Sequence, residues 1–195
     1  MINIIVFNNY IFSQTSTDYF ENGKIKYSDN KYSDAILDFN KAIALNPKFE
    51  EAYLYRGFSY FFIEDYEKAL ENYSYAIGLN AKSVNAYYNR GLVYFQLKKY
   101  DKSIEDFSSA INLNPNLLVA YYSRALAYCY NLNYEKGLAD CNKALKINPK
   151  CAEAYCNRGV AYHGLNKYKK ACRDWKKSKK LGCKEAEINL NKNCK

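Results

Sequence analysis

The sequence repeats every 34 residues, five times in succession, and a chain built this way cannot fold around one central core. Each unit is too small to bury its own apolar face and must stack on its neighbours. In register from Ser16, the copies span 16–49, 50–83, 84–117, 118–151 and 152–185, with nothing inserted or lost between them. Tyrosine recurs at positions 19, 53, 87, 121 and 155, and again at 32, 66, 100, 134 and 168. Small residues recur as Gly23, Gly57, Gly91, Ala125 and Gly159, and as Ala35, Ala69, Ser103, Gly137 and Ala171. Bulky residues recur as Phe39, Tyr73, Phe107 and Trp175, with Cys141 in the fourth copy. Proline closes three copies, at Pro47, Pro115 and Pro149.

Within a copy the spacing is helical. In the third, Tyr87, Gly91 and Tyr94 lie four and three apart, one face of a helix from about Val84 to Leu97. A polar corner at Lys98-Lys99 separates it from a second helix bearing Ile104, Phe107 and Ile111. Pro115 ends that helix, because proline cannot continue one and pushes the preceding residue out of the helical region. Gly91 and Ser103 are expected to face each other and let the two backbones approach. Arginine recurs at 56, 90, 124 and 158 and aspartate at 38, 106, 140 and 174, which predicts Arg–Asp pairs linking helices, within a copy or between copies.

This order of aromatic, small residue, aromatic, alanines and proline over 34 residues resembles the tetratricopeptide repeat, and the resemblance covers residues 16–185. It implies an all-α fold, a right-handed α-solenoid of antiparallel helix pairs. Residues 186–195 are expected to form a C-terminal capping helix. Ala81 in place of the closing proline, Gly137 and Cys141 in the fourth copy, and Leu181-Gly182-Cys183 at the end of the fifth depart from the pattern.

The resemblance also implies where a partner binds. The first helices line the inner surface of the bend, through the second, fifth, ninth, twelfth and thirteenth residue of each copy. From these slots the expected peptide-binding groove comprises Phe20, Tyr27, Leu54, Phe58, Phe61, Phe62, Tyr88, Leu92, Phe95, Tyr122, Leu126 and Tyr130. An apolar, aromatic concave surface suits the anchors of a peptide or helix. The set of lysines and asparagines with which some family members clamp a chaperone's C-terminal carboxylate is lacking, with Leu54, Tyr88, Tyr122, Phe58 and Leu92 in its place, so no such activity is expected. The expected function is a non-catalytic scaffold for a protein or peptide partner.

Net charge is +9, and the fifth copy holds most of it, ten Lys and Arg against three Asp and Glu. Lys169, Lys170, Arg173, Lys176, Lys177, Lys179 and Lys180 form a basic patch. The alternative function is therefore an adaptor for an anionic partner, nucleic acid or acidic protein, although a solvated terminal helix explains the same residues. A dedicated nucleic-acid role is not expected.

All seven cysteines lie from Cys129 onward. An odd number leaves at least one thiol unpaired in the monomer. Cys172–Cys194, if the last residues fold back, and Cys156–Cys172 are the candidate pairs; reduced cysteines packed as small apolar residues are the other reading. Residues 1–15 form an apolar leader, too short and too interrupted by Asn3, Asn8 and Asn9 to span a bilayer. It reads as the remnant of a secretory signal or as a strip covering the first repeat, with an exported or periplasmic location favoured over a cytoplasmic one. No positive charge follows Met1, which argues against the signal.

Chemistry is thinly represented. His163, the single histidine, shares a helix face with Cys156, and Cys129 holds the slot equivalent to His163 one copy earlier. There is no paired Cys-x-x-Cys and no glycine-rich phosphate loop, so no metal, cofactor or catalytic residue is expected.

Overall fold

The computed structural model describes residues 14–194; the apolar leader lies outside them except for Gln14 and Thr15. Eleven α-helices follow one another among the described residues. The five copies each give a helical hairpin: α1 (Ser16–Ser28) and α2 (Tyr32–Leu45), α3 (Glu50–Phe62) and α4 (Tyr66–Leu79), α5 (Val84–Gln96) and α6 (Tyr100–Leu113), α7 (Leu118–Tyr130) and α8 (Tyr134–Ile147), α9 (Ala152–Gly164) and α10 (Tyr168–Lys180). A last helix, α11 (Lys184–Asn193), packs on α10. Each first helix also touches the next first helix, from α1 through α9, whereas the second helices make no comparable contact with one another. The stack therefore bends with the first helices inside, as a right-handed α-solenoid.

Local chemistry explains the boundaries. Thr15 caps α1 in a reciprocal capping box with Asp18, its hydroxyl accepting from the Asp18 N–H while the Asp18 carboxylate accepts from the Thr15 N–H. Between copies, Asn46, Asn80, Asn114 and Asn148 each end a second helix, and each side-chain carbonyl accepts from the N–H two residues on, at 2.9–3.1 Å. These asparagine turns hold the corner. They explain why Ala81 replaces proline without changing the geometry. Nor do Gly137 and Cys141 interrupt α8.

The hairpin interface is a knob set into a notch. A Cβ on Gly91 would lie 2.8 Å from the Phe107 ring, and one on Gly57 2.7 Å from Tyr73. Gly23 stands against Phe39 in the same way, and Gly159 against Trp175. The expectation for Gly91 is thus refined. Ser103 does reach it, donating to the Gly91 carbonyl at 2.8 Å, but the Phe107 ring fills the notch. In the fourth copy both partners change together: Ala125 stands where glycine does elsewhere and Cys141 where the ring does, and both are fully buried.

The recurring arginines bind on two sides. Arg90, Arg124 and Arg158 each donate from Nε and Nη2 to the aspartate sixteen residues later in the same copy, Asp106, Asp140 and Asp174, at 2.6–3.1 Å. Their Nη1 donates sixteen residues back, to Ser74, Ser108 and Asn142 on the second helix of the preceding copy. Arg56 makes a single bond forward, from Nε to the Asn72 side-chain carbonyl at 2.7 Å, and one back, from Nη1 to Asn40 at 2.6 Å. The pairs lie within a copy, then, and the remaining donor ties that copy to the one before. Hydrogen bonding to Asp106 leads in raising the pKa of Arg90. At Arg124 and Arg158 burial is the largest influence and works against the charge, but Asp140 and Asp174 together with nearby tyrosines outweigh it and the pKa rises. Arg56, facing a neutral asparagine, has its pKa lowered by burial. The first copy has no arginine in this column, and Lys26 Nζ lies 2.6 Å from the buried Asp38 Oδ2 as an ion contact rather than an aligned hydrogen bond.

The C-terminal helix begins at Lys184, not 186, and its register identifies it. Ala186 is the third residue of α11 and fully buried, as Ala52, Ala86, Ala120 and Ala154 are at the third position of α3, α5, α7 and α9. The Cys183 thiol donates to Glu185 at 3.2 Å, as the Cys151 thiol does to Glu153 at 3.4 Å. α11 takes the register of the first helix of a further copy, starting two residues early, and Gly182, at φ +99°, stands in the column of the corner asparagines. Cys172 and Cys194 form a disulfide that ties its far end to α10. The alternative Cys156–Cys172 pairing is corrected: Cys156 is a free buried thiol facing Asn189 of α11. The reduced reading holds for the other five cysteines, four of which are buried.

Candidate functional site

The concave face is built by the inner slots of the first helices, and it divides into core and surface. Phe20 and Leu54 are each only 7% exposed. Phe20 packs among Phe39, Phe49 and Tyr55, with ring centroids 4.7–5.9 Å apart. These two expected groove residues are therefore corrected to core positions, covered by the side chains of the adjoining seam.

Farther along the helices the slots open. Tyr27, Phe58, Phe61, Phe62 and Leu92, with Tyr73 and Asn89, line a hollow of about 300 Å³ across the first three copies. Its walls are held by aromatic contacts, Tyr27 against Phe58 at 6.3 Å, Tyr27 against Phe62 at 5.9 Å and Phe61 against Phe62 at 5.8 Å. Phe62 is 51% exposed although Tyr32 stacks on its other face at 4.8 Å. The rings brace each other around the hollow.

In the middle of the face Tyr88 leans on Phe107 at 5.6 Å, with its hydroxyl 3.4 Å from Ser123. Phe95 meets Tyr130 edge-on at 5.5 Å, and Tyr100 stacks on Tyr130 at 5.4 Å. Burial raises the pKa of Tyr88 and Tyr122. Their hydroxyls thus stay neutral and serve as hydrogen-bonding tips on apolar bodies. Tyr130 remains 56% exposed.

Toward the C-terminal end, Leu126, Cys129 and Tyr130 join Cys156, Val160 and His163 around a second hollow of about 450 Å³, and Glu185 and Asn189 of α11 wall its far side. The His163 ring packs against Tyr168 at 5.2 Å and Trp175 at 5.8 Å. Burial pushes the thiols of Cys129 and Cys156 up to about 12, so both remain protonated at neutral pH and are poor nucleophiles. Among the described residues no three His, Cys, Asp or Glu side chains gather as a metal site, and no helix is long and apolar enough to cross a membrane.

The basic residues lie on the opposite side of the last hairpin. Lys169, Arg173 and Lys176 border a hollow of about 540 Å³ beside Tyr168 and the Cys172–Cys194 disulfide. Lys170 lies over the Tyr162 ring at 5.6 Å and Lys179 pairs with Glu187 at 2.7 Å. Lys177 and Lys180 are exposed in the last turn of α10, where cations complement the helix dipole. A larger hollow of about 670 Å³ runs along the outer side of α4, past Leu70, Tyr75 and Leu79.

Sequence reasoning missed the second-helix tyrosines that cover the thirteenth slot of the next copy. Tyr32 covers Phe62, Tyr100 covers Tyr130, and the Tyr134 ring lies directly against Gly164. A signal was present: the slot opposite Tyr134 has shrunk to glycine.

Models of the tetratricopeptide repeat match residues 84–117 and 141–173, and a TPR repeat model matches 23–62 and 63–98. No curated protein sequence matches at a significant level. Among solved structures, MamA is similar at 27% identity and TM-score 0.76, over 92% of this chain and 96% of that one. YrrB, described as a TPR protein with an unusual peptide-binding site, is similar at 20% identity and TM-score 0.75, over 91% and 92%. MamA from Desulfovibrio magneticus RS-1 gives TM-score 0.80 at 19% identity, over 87% and 96%. Proteins of this fold are in general scaffolds for protein interaction rather than catalysts. With helical hairpins in register, their shared columns and these matches agreeing, the chain belongs to the tetratricopeptide repeat family.

Proposed function

We propose that the protein is a non-catalytic scaffold that holds a segment of a protein partner against the concave aromatic face. The observation that carries this reading is the hollow of Tyr27, Phe58, Phe61, Phe62 and Leu92, apolar and braced by its own ring contacts. Aromatic side chains in such a hollow are the usual anchors of binding energy. The peptide-binding site described for YrrB lends support by analogy of fold. With Leu54, Tyr88, Tyr122, Phe58 and Leu92 in the inner slots, the segment is not expected to be the acidic C-terminus of a chaperone.

A second reading has its own observation, the hollow beside Lys169, Arg173 and Lys176, whose charge suits an acidic partner. The two differ in salt response. Capture of a native partner through the concave face should survive a rise in salt and weaken about 30-fold in a Phe61→Ala/Phe62→Ala variant. Capture through the basic side should be screened by salt and lost when Lys169, Arg173 and Lys176 are neutralised. Salt-sensitive binding that ignores the Phe61/Phe62 change would transfer the function to the basic side.

A further inference from the structure

We propose that the Cys172–Cys194 disulfide is a latch on α11: closed, it holds α11 as the end wall of the concave face, and its reduction releases α11 and opens the hollow beneath. Among the described helices α11 is held by few contacts. α3, α5, α7 and α9 are each clasped by their own second helix and the one before, whereas α11 has α10 as its main support. It fully buries Ala186 alone, where α9 buries six residues and α3 five. Ile188 of α11 is 67% exposed. The Lys179–Glu187 pair is exposed on both partners and adds little.

A helix of ten residues is marginal without tertiary support, so the covalent tie has a large share in keeping α11 docked. That tie sits at the far end, Cys194 being the C-cap residue of α11, and closes a loop of 22 residues in sequence separation. What α11 covers is the 450 Å³ hollow, to which it contributes Glu185 and Asn189 opposite Cys156, Val160 and His163. Asn189 also donates to the Cys156 sulfur at 3.8 Å. Moving α11 therefore uncovers the Cys156 thiol and lengthens the concave face at that end.

The opening step is a thiol–disulfide exchange with a dithiol reductant. One reductant thiolate attacks a sulfur of the Cys172–Cys194 bond, giving a mixed disulfide and one cysteine thiolate; the second reductant thiol displaces the other cysteine. Two electrons pass to the protein, both cysteines end as thiols, and the reductant leaves as its cyclic disulfide. Closure is the reverse and belongs to an oxidising compartment.

The test follows backbone amide exchange and N-ethylmaleimide labelling of Cys156 in the full chain, before and after dithiothreitol, and in a Cys172→Ser/Cys194→Ser variant. Protection of α11 amides is expected to fall, and Cys156 labelling to accelerate, each by about 100-fold, with α1 to α10 unchanged. Equal protection of α11 in the closed and reduced protein overturns the latch. So does a loss of protection spread through α9 and α10, because the disulfide would then hold the repeat array rather than its end. The serine variant gives the same reading without reductant, and no other disulfide is present among the described residues.

Discussion

Replacing Arg158 with methionine is expected to destabilise the protein by about 3–5 kcal/mol, the range for breaking one side of a buried ion pair. The loss comes from what is left behind. Asp174 is 2% exposed and receives two charge-assisted hydrogen bonds from Arg158, at 2.6 and 3.1 Å. Methionine fills much of the space but gives the carboxylate nothing to accept from. The same change also cuts the bond to Asn142 and so loosens the fifth copy from the fourth. Arg56 provides the internal control. Its partners are the neutral Asn72 and Asn40, so Arg56→Met leaves no buried charge and should cost only about 1–2 kcal/mol. Urea midpoints of the two variants measure the difference. Equal losses would mean that the arginine column acts through packing and not through its charge.

The second large effect concerns the knob and notch. Phe107→Cys should cost about 3 kcal/mol, as a ring is removed from a fully buried site. Adding Gly91→Ala should restore about 1–2 kcal/mol, because the methyl group enters space the ring has vacated. Placed in the wild-type protein, the same alanine would meet the ring at 2.8 Å and strain it. The double variant reproduces in the third copy the Ala125 and Cys141 that the fourth copy already carries. A double-mutant cycle with no favourable coupling would show that the two columns are not matched in volume.

Much of this architecture was legible because a solenoid writes its contacts as columns. The corners, the helix pairs and the Arg–Asp partnership all follow from residues 34 apart doing one job. Contacts that cross copies were harder to read. The bond from Arg124 to Ser108 joins the recurring arginine column to one that reads Asn40, Ser74, Ser108 and Asn142, polar residues that signal nothing alone. The groove was read from slot positions, and slots do not report depth. Phe20 and Leu54 share a slot with Tyr88 and Tyr122 yet are buried, because depth depends on which side chains the adjoining seam supplies. The register of α11 was hidden by the missing two residues, since a repeat frame extended by counting placed its start at 186.

The central claim is that a partner lies on the inside of the bend. A photo-crosslinking residue placed at Phe62 or Tyr130, both exposed on the concave face, tests it directly against one placed at Tyr75 on the outer side of α4. Irradiation in native cells is predicted to join a partner protein to positions 62 and 130 and to leave position 75 unlinked. Adducts from position 75 with none from 62 or 130 would contradict the account and move the binding surface to the outside of the solenoid.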